Sequence, residues 1–211
     1  MTITESIQFL VAMAVLMNPL GSLSIFLELT RYADLAEKRV IARQAGIAIV
    51  TIMLLSIWAG RDLLSLFAIT IPAFRFAGGF ILLLVGLSML QSRESPIRHT
   101  AEDADNLKKG EPIAIVPLAV PIVVGPGVIS TLVLAAGDHP DIMAKSWISG
   151  LCVLLAVAMG ALLYYANTIT QLVGVSIIKV VTRIMGMIIM SIAVGMLANG
   201  LTGLLPILQT Q

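Results

Sequence analysis

The sequence is poor in nearly everything that chemistry in water requires. Only 12% of its 211 residues are Asp, Glu, Lys or Arg, about half the share of an ordinary soluble domain. Cys152 is the single cysteine, which excludes an intrachain disulfide and a cysteine metal cluster; it reads as a small buried apolar residue within a helix. The two histidines are His99 and His139. The cluster Asp138-His139-Pro140-Asp141 has no second histidine at helical spacing, so it reads as a loop turn rather than a ligand set. No metal and no cofactor are expected. Aromatic residues make up 5%, too few to line a roomy multidrug pocket. A net charge of +1 gives no reason to expect nucleic acid as a partner.

What the chain has is hydrocarbon. Residues of the AVILMFWYC set make up 58% and the mean hydropathy is +1.01. A chain of this length cannot hide so much apolar surface from water, so lipid must be its solvent. A spanning helix needs about 20 apolar residues, and six stretches qualify: Ile7–Leu29, Val40–Ala59, Thr70–Leu90, Ile113–Ala136, Ser146–Ala166 and Arg183–Leu205. Runs such as Ile81-Leu82-Leu83-Leu84-Val85 are apolar on every face, whereas a barrel strand would alternate. The fold class expected is an all-α membrane protein. Ala12-Met13-Ala14 imitates a signal-peptidase site, but no Lys or Arg precedes Arg31, so the first span is expected to be retained.

Residues 91–112 concentrate charge and read as a solvated loop between residues 1–90 and 113–211. With six spans, ten of the 13 basic residues fall on the side of that loop and three on the other. The richer side is expected to be cytoplasmic, with both termini outside.

Two landmarks recur. Asn18-Pro19-Leu20-Gly21-Ser22 interrupts the first span and Gly125-Pro126-Gly127 the fourth, with the prolines 107 residues apart. Arg75-Phe76-Ala77-Gly78 opens the third span and Arg183-Ile184-Met185-Gly186 the sixth, 108 residues apart. The offsets predict two three-helix repeats. An odd number of spans per repeat turns the second copy upside down, the inverted-topology arrangement of many secondary transporters.

Proline removes a donor and clashes with the preceding turn, and glycine lets the chain leave helical dihedrals. Helices 1 and 4 are therefore expected to break near the midplane, where unwound backbone is tolerated only inside protein or beside a wet cavity. Each break makes a half-helix N-terminus suited to a carboxylate. The candidate substrate-binding residues are Asn18, Pro19, Gly21, Ser22 and Ser24 at the first break, with Pro121, Gly125, Pro126, Gly127, Ser130 and Thr131 at the second. Carbonyls before each break could hold an ammonium group, so the expected ligand is a small zwitterionic solute. Arg75 and Arg183 read either as snorkelling anchors or as symmetric gating or capping charges. Glu28 reads as interfacial. No His, Lys, Asp or Glu occupies the middle of a span, so no base stands ready to activate Ser130 and an enzyme is not expected. Gly78, Gly86, Ala156, Gly160, Gly186 and Gly195 read as close-packing positions.

The motifs Asn18-Pro19-Leu20-Gly21 with Phe26, Phe74-Arg75-Phe76-Ala77-Gly78-Gly79, Val116-Pro117-Leu118-Ala119-Val120-Pro121 with Gly125-Pro126-Gly127, and Thr182-Arg183-Ile184-Met185-Gly186 together resemble the MarC/SnatA family of multi-pass membrane proteins, related in architecture to LysE-type exporters. The resemblance implies six helices in two inverted repeats, an inner-membrane location and transport of small neutral amino acids such as glycine and alanine. The leading expectation is a secondary transporter working by alternating access. A non-transporting membrane scaffold, or an exporter of another small metabolite or drug, remains the alternative. Coupling ion, direction and any homo-oligomer stay open.

Overall fold

The computed structural model describes residues 2–90, 123–173 and 175–205. All regular structure among them is helical: α1 (Ile3–Leu16), α2 (Pro19–Leu29), α3 (Leu35–Trp58), α4 (Gly60–Leu66), α5 (Ile71–Leu90), α6 (Pro126–Asp138), α7 (Ile142–Tyr164), α8 (Ala166–Val173) and α9 (Val175–Leu204). Five stretches are long and apolar enough to cross a membrane: Ile3–Leu29 taken through its break, Leu35–Trp58, Ile71–Leu90, Ile142–Tyr164 and Val180–Leu204. Gly127–Asp138 is a shorter apolar helix. The front of the expected fourth span, with Pro117 and Pro121, lies outside the described residues, as does the charged loop 91–112.

The helices outrun their apolar cores. α3 starts at Leu35 rather than Val40 because Asp34 and Glu37 cap each other's backbone: the Glu37 amide donates to Asp34 Oδ1 at 2.8 Å and the Asp34 amide to Glu37 Oε2 at 2.9 Å, a reciprocal capping box. Thr2 and Glu5 do the same for α1. Asp141, part of the acidic turn, accepts from the Ala144 amide at 2.9 Å and starts α7, which gives that carboxylate a structural task. Arg183 lies in the first turn of its span, Val180–Leu204, while the helix that carries it, α9, begins earlier, at Val175. Hydropathy reports only the lipid-immersed part of a helix, while hydrated charged turns extend it at either end. The short helices α4 and α8, read in the sequence as loops, each follow a long span directly.

Packing is antiparallel and close. Along α5 and α9, Pro72 meets Gly203, Phe76 meets Gly200, Gly79 meets Ala193 and Leu197, and Met89 meets Gly186. A Cβ on Gly200 would lie 2.7 Å from the Phe76 amide nitrogen, so the two backbones touch where helices in lipid gain most from van der Waals contact. Gly195, expected in this seam, faces open space: it points away from α5, a direction that an all-round apolar helix does not advertise. α3 and α7 meet at Gly46 and Gly160, and the Trp58 indole donates to Ser149 Oγ at 3.1 Å. α6 packs on α3 and α5. One apolar cluster joins Met13, Met17, Met53, Leu82, Val124, Leu132, Ile148 and Ile189; a second gathers Leu23, Phe26, Leu29, Ala42, Ala45, Leu163 and Ala166 where α2, α3, α7 and α8 converge.

Candidate functional site

The first break is a finished cap. α1 ends at Leu16, and Asn18 takes the left-handed conformation with φ 47° and ψ 64°, a region asparagine enters more readily than other side-chain-bearing residues. Pro19 occupies the first position of α2, where its missing N–H is no loss. Asn18 Oδ1 accepts from the Gly21 amide at 3.2 Å. A Cβ on Gly21 would fall 2.1 Å from Asn18 Nδ2, so glycine is what lets the asparagine fold back. Ser22 is 1% exposed and its hydroxyl donates to the Met17 carbonyl at 3.1 Å, satisfying an acceptor next to the break. Asn18 Nδ2 has the Met89 sulfur at 3.8 Å, a weak acceptor. Ser24 is exposed, donating to the Leu20 carbonyl at 3.1 Å, and so does not gather with Asn18 and Ser22.

The second break is built otherwise. Gly125, extended at φ −75° and ψ 173°, is the N-cap of α6 and has no side chain to offer. Pro126 follows without an N–H. The Ile129 amide donates to the Gly125 carbonyl at 3.1 Å, while the Gly127 and Val128 amides, at the second and third helical positions, receive no side-chain cap from Gly125. Thr131 donates to the Gly127 carbonyl at 2.9 Å, a local bond. Ser130 is 0% exposed, and among the described residues its Oγ is the buried side-chain polar atom without a hydrogen-bond partner. Such a hydroxyl costs about 1–3 kcal/mol unless something bonds to it.

A single wall serves both breaks. Ser130 lies against Gly78, where a Cβ would come 2.4 Å from Ser130 Oγ; Gly127 lies against Leu82, whose Cδ2 would be 2.3 Å from an added Cβ. Asn18 reaches Met89 on the same helix. Residues 78, 82 and 89 share one face of α5, and the two contact levels at 82 and 89 are about 10 Å apart along its axis. Met17, Val123, Val124 and Val128, which flank the breaks, are all buried in one cluster with Leu82. A hollow of about 490 Å³ lined by Leu90, Met187, Met190, Ser191 and Val194 is apolar and separate from the residues of either break.

Arg75 lies half-buried on α5 one turn before Gly78, and Arg183 sits on α9 one turn before Gly186. The antiparallel seam puts them toward opposite ends of the helix pair. Pro121 lies outside the described residues. Leu82 and Met89 were not legible as wall residues in the sequence, and Gly78 was read only as a packing position; the adjacent glycines Gly78-Gly79 were the available hint, since they face α6 and α9 respectively. No group of three or more His, Cys, Asp or Glu that could hold a metal occurs among the described residues.

These features define a polytopic α-helical integral membrane protein in which the break at Asn18 and the start of α6 lean on one glycine-bearing wall. The chain belongs to the MarC family of integral membrane proteins, whose profile matches residues 3–205. It is 33% identical to the membrane protein YvbG of Bacillus subtilis (strain 168), over 90% of this chain and 91% of that protein. It is 28% identical to the membrane protein YhcE of Escherichia coli (strain K12), over 94% and 93%. The inner membrane protein MarC of Salmonella paratyphi B is 32% identical over 90% and 91%. No solved structure matches.

Proposed function

We propose that the protein is a secondary transporter of small neutral amino acids, such as glycine or alanine, resident in the inner membrane with both termini outside. The observation that carries this reading is the second break: a helix start without a capping side chain, with Ser130 Oγ buried and unpartnered one turn further on. Amides at a helix N-terminus favour a carboxylate, and Ser130 offers it a further donor.

The reading also draws on a matched element order. Asn18 is followed by a half-helix, a long helix, a short one and another long one as far as residue 90, and Gly125 by the same series as far as residue 204. This supports two inverted three-helix repeats, with rocking of one against the other as the route to alternating access. The buried flanks of both breaks fit a closed state of such a cycle.

Purified protein in liposomes should take up labelled alanine or glycine above protein-free liposomes. Replacing both Pro126 and Gly127 by leucine should abolish uptake while insertion persists. Absence of transport across a panel of neutral amino acids would instead favour a membrane scaffold, in which the breaks serve packing alone.

A further inference from the structure

At the opposite end of α3 from Trp58, two arginines converge on one ring. The Arg39 guanidinium carbon is 5.0 Å from the Tyr164 ring centroid and that of Arg43 is 5.5 Å, both within cation–π range. They are i, i+4 neighbours on α3, and like charges at that spacing repel. Among the described residues neither guanidinium has a carboxylate partner. The nearest acidic residues in sequence, Asp34 and Glu37, are committed to their mutual cap. A guanidinium over a ring keeps N–H donors that can bind a planar or tetrahedral oxyanion.

The height of this pair is set by the helix. Arg39 and Trp58 are separated along α3 by about 28 Å at the α-helical rise, close to the hydrocarbon thickness of about 30 Å. At the Trp58 end, Lys145 Nζ sits 5.9 Å from the Trp58 ring, so aromatic residues with cations mark both levels. Tyr164 ends α7 and rests on the apolar cluster of Leu23, Phe26, Ala42 and Leu163, which gives the arginines a fixed platform. Below them, Ile47, one turn on from Arg43 along α3, is exposed, as is Val157 of α7. That is a path for an acyl chain under a headgroup.

We propose that Arg39 and Arg43, held over Tyr164, bind the phosphate of an anionic membrane lipid at the edge of the hydrocarbon. The site is independent of the solute and would hold lipid whether or not the protein transports. It is tested by native mass spectrometry of the full chain in neutral detergent with added phosphatidylglycerol or phosphatidylcholine. Wild type should retain phosphatidylglycerol about tenfold more tightly than R39Q/R43Q, with phosphatidylcholine retained alike by both. R39K/R43K, which keeps charge but loses the planar fork, should fall between. Equal retention of phosphatidylglycerol by wild type and R39Q/R43Q overturns the proposal. Displacement of the lipid by millimolar inorganic phosphate overturns it as well, by making the site one for a free anion. If R39Q/R43Q does not fold, wild type alone decides: no preference for phosphatidylglycerol over phosphatidylcholine overturns it.

Discussion

The break between α1 and α2 and the start of α6 solve one problem in opposite ways. At the first break the chain supplies its own partners: Asn18 caps the Gly21 amide and Ser22 serves the Met17 carbonyl. At the second, the N-cap is a glycine, the next residue is a proline, and the buried hydroxyl of Ser130 is left unmatched. A polar group buried without a partner lowers stability, and in lipid as in a protein core it signals either strain or a missing ligand. The comparison teaches that two Pro- and Gly-bearing helix starts need not be chemically alike: one is satisfied by its own side chains, and the other leaves a buried hydroxyl unmatched.

The contrast can be broken by substitution. The largest effect is expected at the wall. Gly78→Val places carbon where Ser130 Oγ and Cβ already lie, at 2.4 and 2.9 Å from the new Cβ. It should force α6 off α5, lowering stability by about 3 kcal/mol, seen as a drop in melting temperature in detergent. Asn18→Ala should come next. It removes the cap and puts alanine at φ 47°, for about 2 kcal/mol in all; an unchanged melting temperature would show that the first break is not held by its cap.

The two serines sharpen the comparison because their effects differ in sign. Ser22→Ala deletes a made hydrogen bond and should destabilise by about 1 kcal/mol. Ser130→Ala deletes an unmade one and should leave the ligand-free protein unchanged or more stable by up to about 1 kcal/mol. Equal destabilisation by both would erase the distinction. Ser24→Ala, at an exposed hydroxyl bonded only to its own helix, should shift stability by less than about 0.5 kcal/mol.

Much of the first break was legible in the sequence, because Asn-Pro followed by glycine carries its geometry in local chemistry. Five of the six expected spans were legible too, though their charged ends were not: α3 begins at Leu35 through a cap formed by two acidic residues, where hydropathy registers only polarity. Short helices such as α4 and α8 have no lipid-spanning run to reveal them. The faces of the helices were hidden for a different reason. In lipid the outside of a helix is as apolar as its packed side, so periodicity cannot tell Gly195, in open space, from Gly200, against Phe76. The difference between Ser22 and Ser130 was hidden as well. Both follow a proline and a glycine, yet Ser22 reaches the Met17 carbonyl five residues back along its own segment, whereas Ser130 faces Gly78 and finds no partner.

The claim that the second break receives the solute is tested most directly by uptake of labelled alanine into proteoliposomes bearing equal amounts of wild type, Ser22→Ala and Ser130→Ala. The account predicts uptake by wild type and a KM raised about tenfold or more for Ser130→Ala, as the loss of a hydrogen bond to a carboxylate implies, with Ser22→Ala close to wild type. An unchanged KM for Ser130→Ala, with Ser22→Ala the one impaired, would contradict it.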